Sequence, residues 1–160
     1  MISAIVAVDN NWGIGYNGNL LVNISDDLKR FKSITSGHYV VMGLNTWNSL
    51  PKKPLPNRVN IVITPDPHPS SDAFFMDMET AERIIKEDPD SEYFIIGGGS
   101  IYKQMLHLCD RVYVTHIYKE HENVDTFFPE LSSKDWIATP LSEIKEENNI
   151  KYQYYVYDRI

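Results

Sequence analysis

The sequence has 160 residues, 42% hydrophobic and 12% aromatic, enough to bury a sizeable core in one globular domain spanning residues 1–160. A net charge of -7 and an isoelectric point near 5.1 exclude the basic footprint that nucleic acid or an anionic membrane requires, and leave small molecules as the expected partners. A single cysteine, Cys109, excludes an internal disulfide; with no signal-peptide flank on "MISAIVAV" and no apolar run near the roughly 20 residues of a spanning helix, a cytoplasmic monomer is expected.

In chain order, "ISAIVAV" reads as a buried strand and "DNNWGIGYNGN", with three glycines and four asparagines, as a loop. A helix follows from about Asp26 to Ile34, with Ser25 as its N-cap. The strand "YVVM", Gly43 and a short helix over "LNTWNSL" come next. "VNIVIT" is a strand ended by the proline-rich "PDPHPSS", and "AFFM" is a short strand. "TAERIIKE" reads as a helix, "YFII" as a buried strand, and "GGGSIYKQMLHL" as a glycine turn entering a helix. "RVYVTHIY" and the alternating "IKYQYYVYD" complete the sheet, the last with the period of an antiparallel strand. This alternation predicts an α/β fold: a central, mostly parallel twisted sheet with an antiparallel C-terminal strand and helices on both faces. A ligand crevice is expected at the carboxyl ends of the strands.

Several chemistries have no motif behind them. The five histidines, at 38, 68, 107, 116 and 121, show no paired helical spacing and no Cys-x-x-Cys accompanies them, so no metal site is expected. A Gly-x-Ser-x-Gly elbow and a Walker Gly-Lys-Ser are both missing. By contrast, "YFIIGGG" and "VVMGLNTW" each place glycine between a strand and a helix, where backbone amides can approach a phosphate. Two such junctions point to a dinucleotide or another phosphorylated ligand.

The stretch "GNLLVNISDDLKRF" carries the second clue. Asp26 and Asp27 fall in the first helical turn, where the dipole favours negative charge, and for Asp26 that role suffices. Asp27, however, shares a helical stripe with Ile24, Leu28, Phe31 and Thr35. A carboxylate on an apolar stripe is costly to bury without a partner.

The stretches "ISAIVAVDNNWGIGYNGNL", "DDLKRFK", "VVMGLNTWNSL", "PLPNRVNIVIT", "IIGGGSIY", "VTHI" and "DTFFP", taken together and in this order, resemble the dihydrofolate reductase family along nearly the whole chain. The resemblance implies reduction of 7,8-dihydrofolate to tetrahydrofolate with NADPH, in one-carbon metabolism, and binding of antifolate inhibitors. It makes Asp27 the acid that holds the pterin through two parallel, charge-assisted hydrogen bonds, with Thr115 bonded to it from a neighbouring strand. Burial against Phe31 should raise the Asp27 pKa in the empty enzyme. Ile5, Ala7, Leu28, Phe31, Leu50 and Ile96 would wall the pterin and aminobenzoyl groups. Arg58 would clamp the glutamate α-carboxylate, supported by Lys32 or Lys53. On the cofactor side, Gly43, Thr46, Gly97, Gly98, Gly99 and Ser100 would lie along the phosphates. Ala7 and Tyr102 would lie beside the nicotinamide, and Ile14, Gly15 and the loop through Leu20 would close over it. The Gly97–Gly98 peptide is expected to be cis.

Departures from the family pattern are also visible. Leu21 and Val22 stand where Pro-Trp is usual, Leu44 and Ser100 where arginines are common, and Pro65 where a hydroxyl donor is frequent. Thr64 is then the clearest contact left for a cofactor 2′-phosphate, with His68 nearby in sequence. Two rival functions are a reductase of a ribosylated pyrimidine, which lacks the buried acid, and a non-catalytic nucleotide-binding module.

Overall fold

The computed structural model describes residues 1–160. Its strands are β1 (Ile2–Val8), β2 (Gly13–Tyr16), β3 (Asn19–Leu20), β4 (Tyr39–Gly43), β5 (Val59–Ile63), β6 (Phe74–Met76), β7 (Tyr93–Gly97), β8 (Arg111–Ile117), β9 (Thr126–Phe127), β10 (Trp136–Pro140), β11 (Lys145–Glu147) and β12 (Ile150–Arg159). Its α-helices are α1 (Ser25–Thr35), α2 (Leu44–Ser49), α3 (Met78–Lys86) and α4 (Gly99–Met105). The main sheet runs in the order β10-β12-β8-β1-β7-β4-β5-β6, with β11 also on β12. From β8 to β6 every pairing is parallel. β12 is antiparallel to β8, as its period of two predicts, and β10 and β11 add two further antiparallel pairings.

The pleat divides the strand residues between two cores. Ala4, Val6, Val8, Val41, Ile61, Ile95, Val112 and Val114 pack with Ala81 and Ile85 of α3 and with Ile101 and Met105 of α4. Their alternates Val40, Met42, Val62 and Phe94 face Trp47 of α2 and Ile34 of α1, and Ile117, Tyr152 and Tyr154 gather around Ile24. Two helices therefore cover each face.

Two expectations need correction. The "DNNWGIGYNGN" stretch is not all loop: β2 and β3 form a hairpin, which β9 extends into a separate three-stranded sheet. Asn17 and Gly18, at φ 51 and 80, link the paired Tyr16 and Asn19. That is the Asn-Gly two-residue turn whose twist suits a hairpin. Nor is Ser25 the N-cap of α1. Ile24 occupies that position in extended conformation without a side-chain cap, and Ser25 is already helical. The Glu147 carboxylate of β11 takes the capping role, accepting from the Ser25 amide at 2.7 Å, the Ser25 hydroxyl at 2.8 Å and the Asp26 amide at 3.3 Å. A carboxylate there satisfies open amides and meets the positive end of the helix dipole.

Candidate active site

Parallel pairing sets Ala7 of β1 beside Thr115 of β8, and antiparallel pairing sets Thr115 beside Tyr154 of β12. This row lies on the sheet face beneath α1. The Thr115 hydroxyl donates to Asp27 Oδ1 at 2.6 Å, the bond expected from the resemblance. Asp27 has no other protein donor, and burial pushes its carboxyl above the usual range. Thr115 and the charge of Arg30 oppose that rise, while Asp26 adds to it.

Asp26 does more than meet the helix dipole. Its Oδ2 accepts from the Tyr154 hydroxyl at 2.6 Å and the Tyr152 hydroxyl at 3.1 Å, and Lys145 Nζ lies 3.6 Å away. The Tyr154 hydrogen bond holds Asp26 below the ordinary carboxylate range despite partial burial. The adjacent aspartates are thus divided, Asp26 tying α1 to β12 and Asp27 facing a cleft.

That cleft is lined by Ala7, Ile14, Leu20, Val22, Asp27 and Leu28 among others. Leu20 and Leu28 are 64% and 53% exposed, apolar surface that a bound ring system would cover. Ile5, Leu50 and Ile96 lie farther along the same sheet face, packed on the Val40–Trp47 core. At the outer rim, Arg58 Nε donates to the Pro56 carbonyl at 2.9 Å and Nη1 to Thr35 Oγ1 at 3.1 Å. Its guanidinium stands 5.8 Å from the Phe31 ring centre. These bonds aim the guanidinium and leave Nη2 without a protein acceptor. Lys32 is exposed, whereas Lys53 Nζ turns toward the Trp47 ring at 5.7 Å.

The two glycine junctions meet in space. Met42, next to Gly43, pairs with Gly97 across an irregularity between β4 and β7. Gly97 has φ 112, and the Gly97–Gly98 peptide is cis, as expected. A Cβ on Gly97 would come 3.1 Å from the Tyr102 ring, one on Gly98 would come 3.5 Å from Thr46 Oγ1, and one on Gly43 would strike Ile101 at 2.9 Å. A side chain is thus excluded at Gly43 and strained at Gly97, while at Gly98 it would make only an ordinary contact, and Gly43, Thr46 and Gly97–Gly99 form a cradle open to close approach. Tyr102 is fixed beside it, its hydroxyl donating to the Ile5 carbonyl at 2.7 Å. A carboxylate in an apolar cleft thus adjoins a glycine cradle at the strands' carboxyl ends. A family model described as "Dihydrofolate reductase" matches residues 1–159.

The chain belongs to the dihydrofolate reductase family. It is 36% identical over 166 residues to a dihydrofolate reductase of Bacillus subtilis (strain 168), covering 99% of this chain and 95% of that one. Dihydrofolate reductases of Aedes albopictus and Mus musculus are also 36% identical, over 182 and 185 residues, each covering 99% of this chain and 97% of theirs. Family membership implies a nicotinamide cofactor, and the cradle suits one. No helix of the chain is long and apolar enough to cross a membrane.

Against the family pattern, the positions of Leu44 and Ser100 beside the cradle carry no charge. Leu44 is partly exposed, and the Ser100 hydroxyl accepts from Gln104 Nε2 at 2.9 Å. Thr64 directly follows β5. It is 3% exposed, and its hydroxyl accepts from the Asp66 amide at 3.2 Å, closing the loop after β5. His68 stacks on Phe75 with ring centres 4.3 Å apart. At the pterin end, Val22 packs on the Ile24–Tyr154 core and offers no donor.

Sequence reasoning missed Asp9. It is 2% exposed, and its carboxylate accepts from the amides of Asn11 at 2.9 Å and Gly13 at 2.8 Å, which opens β2. The His121 amide and Nδ1 reach its other oxygen at 3.3 and 3.1 Å. Burial would raise its pKa, but the bonds from Gly13, His121 and Asn11 hold it below the usual range. Asp9 thereby joins the hairpin to the segment after β8, a pairing 112 residues apart in sequence that no local pattern announces.

Proposed function

We propose that this chain reduces 7,8-dihydrofolate to 5,6,7,8-tetrahydrofolate with NADPH, supplying one-carbon metabolism, and that residues 1–160 act as one domain, monomeric and cytoplasmic. The observation that carries the reading is the state of the two acids lining the cleft. Asp9 is saturated by four protein donors, while Asp27 has one and keeps acceptor capacity for a ligand. A pterin presents an adjacent ring N–H and amino group, which an ionised carboxylate accepts in parallel. The same edge recurs in diaminopyrimidine antifolates, which are the expected inhibitors.

In this reading Asp27 orients the pterin and Thr115 holds the carboxylate in place through Oδ1, whose second lone pair stays open to the ligand. Ala7, Leu28, Ile5, Phe31, Leu50 and Ile96 flank the ring and the aminobenzoyl group, excluding water. Arg58 takes the α-carboxylate, with Lys32 adding charge. The amides of Gly97–Gly99 and Gly43, with Thr46 and Ser100, hold the cofactor phosphates, and Tyr102 and Ala7 border the nicotinamide. Thr64 acts through the loop it closes. Ile14, Gly15 and Leu20 cover the reacting faces. When bound, the reduced nicotinamide supplies a hydride from C4 to C6 of the substrate. A carboxylate occupied at the amino edge cannot also reach N5, so the proton there comes from water.

The test is the absorbance at 340 nm with dihydrofolate and NADPH. A steady decrease that a diaminopyrimidine abolishes is expected. Turnover only with a ribosylated aminopyrimidine, or cofactor binding without turnover, would replace this reading with one of its rivals.

A further inference from the structure

Arg30 sits half-buried in α1, and none of the ion pairs of the molecule includes it. Its guanidinium carbon instead lies 4.0 Å above the centre of the Tyr154 ring. That ring cannot swing away: its hydroxyl is bound to Asp26 at 2.6 Å, Tyr152 packs against it edge-on at 5.7 Å, and Lys145 Nζ lies 5.5 Å from its centre. Arg30 follows Asp27 by three residues, so the two side chains leave the same side of one helical turn. Their seats are adjacent as well, since Thr115 under Asp27 and Tyr154 under Arg30 are direct partners across β8 and β12. Opposite charges are thus neighbours without touching.

A guanidinium paired directly to Asp27 would occupy the oxygens that a ligand needs. A guanidinium held on an aromatic face keeps its charge close and its donors away. We propose that Arg30, seated on Tyr154, is a positioning residue that keeps the Asp27 carboxylate ionised without donating to it, so that Thr115 alone engages Oδ1 and the remaining acceptor sites stay open to the substrate.

The other groups facing Asp27 do not replace it. Asp26 on the same helix is an anion, Thr115 is neutral, and Tyr152, Tyr154 and Tyr102 are phenols whose own ionisation is driven upward by burial. Lys145 is engaged with Asp26. Arg30 is the cation that opposes the burial of Asp27.

The substrate half of this inference rests on the proposed function; the electrostatic half does not. The experiment is a carbon-13 NMR titration of the Asp27 carboxylate in the ligand-free protein, assigned with Asp27→Asn. Arg30→Gln should raise the midpoint by about half to one pH unit, and Arg30→Lys should restore most of it. The pH profile of kcat/KM for dihydrofolate should move in the same direction in Arg30→Gln. Tyr154→Leu, which removes the seat, should raise KM for dihydrofolate more than Tyr154→Phe, which keeps it. A folded Arg30→Gln protein with an unmoved midpoint overturns the proposal, as does an equal KM effect in the two Tyr154 variants. A moved midpoint in a protein that does not reduce dihydrofolate would sink the assigned reaction and leave the Arg30–Asp27 coupling standing.

Discussion

At Asp27, function and stability pull in opposite directions. Its folded pKa lies above the value of a free carboxyl, so ionisation costs the folded state stability as pH rises through the carboxylate range, and the full cost is present above the folded value. Asp27→Asn removes that cost and still offers Thr115 an acceptor. Thermal melts at pH 7 should show the variant more stable by about 1 kcal/mol, a Tm rise of roughly 2–4 °C, with the two proteins converging in acid. Turnover should fall on the order of a hundredfold at pH 7, because an amide cannot accept both charge-assisted bonds. The deficit should narrow at lower pH, where substrate arrives protonated. Steady-state rates between pH 5 and 8 check both statements, and undiminished activity at neutral pH would reduce Asp27 to a helix-end acid. Asp9 shows the opposite behaviour. Asp9→Ala strands the Gly13 and Asn11 amides and His121, and should destabilise the protein by about 3 kcal/mol in urea unfolding.

Among the elements, α1 is the one whose position the site depends on most, and it is held chiefly from β11 and β12. Glu147→Gln should keep a weaker cap and Glu147→Ala none, so KM for dihydrofolate should rise in that order while the cofactor KM stays near wild type. Equal rises in both constants would instead mean general loosening. How well the sequence revealed each element follows from what holds it. β1, β4, β5 and β7 are largely buried and read as mostly apolar runs, whereas β8 carries Arg111, Thr115 and His116 among its apolar residues. α1 carries its apolar stripe openly, and with it the position of Asp27. β10 and β11 are largely exposed, so "WIATP" and "KEE" show no alternation to read. The β2–β3 hairpin did carry a local signal, Asn17-Gly18, which the abundance of glycine and asparagine disguised as a loop. The Glu147–Ser25 and His121–Asp9 pairings span 122 and 112 residues, beyond the reach of any window. The roles proposed for Thr115 and Arg58 are likewise invisible locally, since a threonine in a strand and an arginine after a turn need no explanation.

Across the whole molecule, a sheet with helices on both faces exposes its carboxyl ends along one edge, where the cradle and the acid cleft adjoin. The expected cofactor preference belongs to this scale, because it depends on what surrounds the adenosine end of that edge. With Leu44 and Ser100 uncharged and Thr64 buried, the proposed NADPH would lack about two charged hydrogen bonds to its 2′-phosphate, each worth roughly 1.5–3 kcal/mol. NADPH should still be preferred over NADH, but by less than about a thousandfold, or roughly 4 kcal/mol. Leu44→Arg should widen the ratio of kcat/KM values for the two cofactors. A larger wild-type preference that the new arginine leaves unchanged would show that another group, such as His68, already meets the phosphate.

The clasp on α1 also has a consequence in time. Asp27 is made before the groups that seat it: its helix is capped by Glu147 and tied down by Tyr152 and Tyr154, which follow their partners by 122, 126 and 128 residues. A nascent chain halted before residue 145 carries the acid, the threonine and the glycine turns, yet lacks the groups that seat the acid. Such a chain, once released, should retain little affinity for an immobilised diaminopyrimidine, and a released chain extended past residue 154 should be captured. The acid is therefore seated by groups that lie more than a hundred residues after it in the chain.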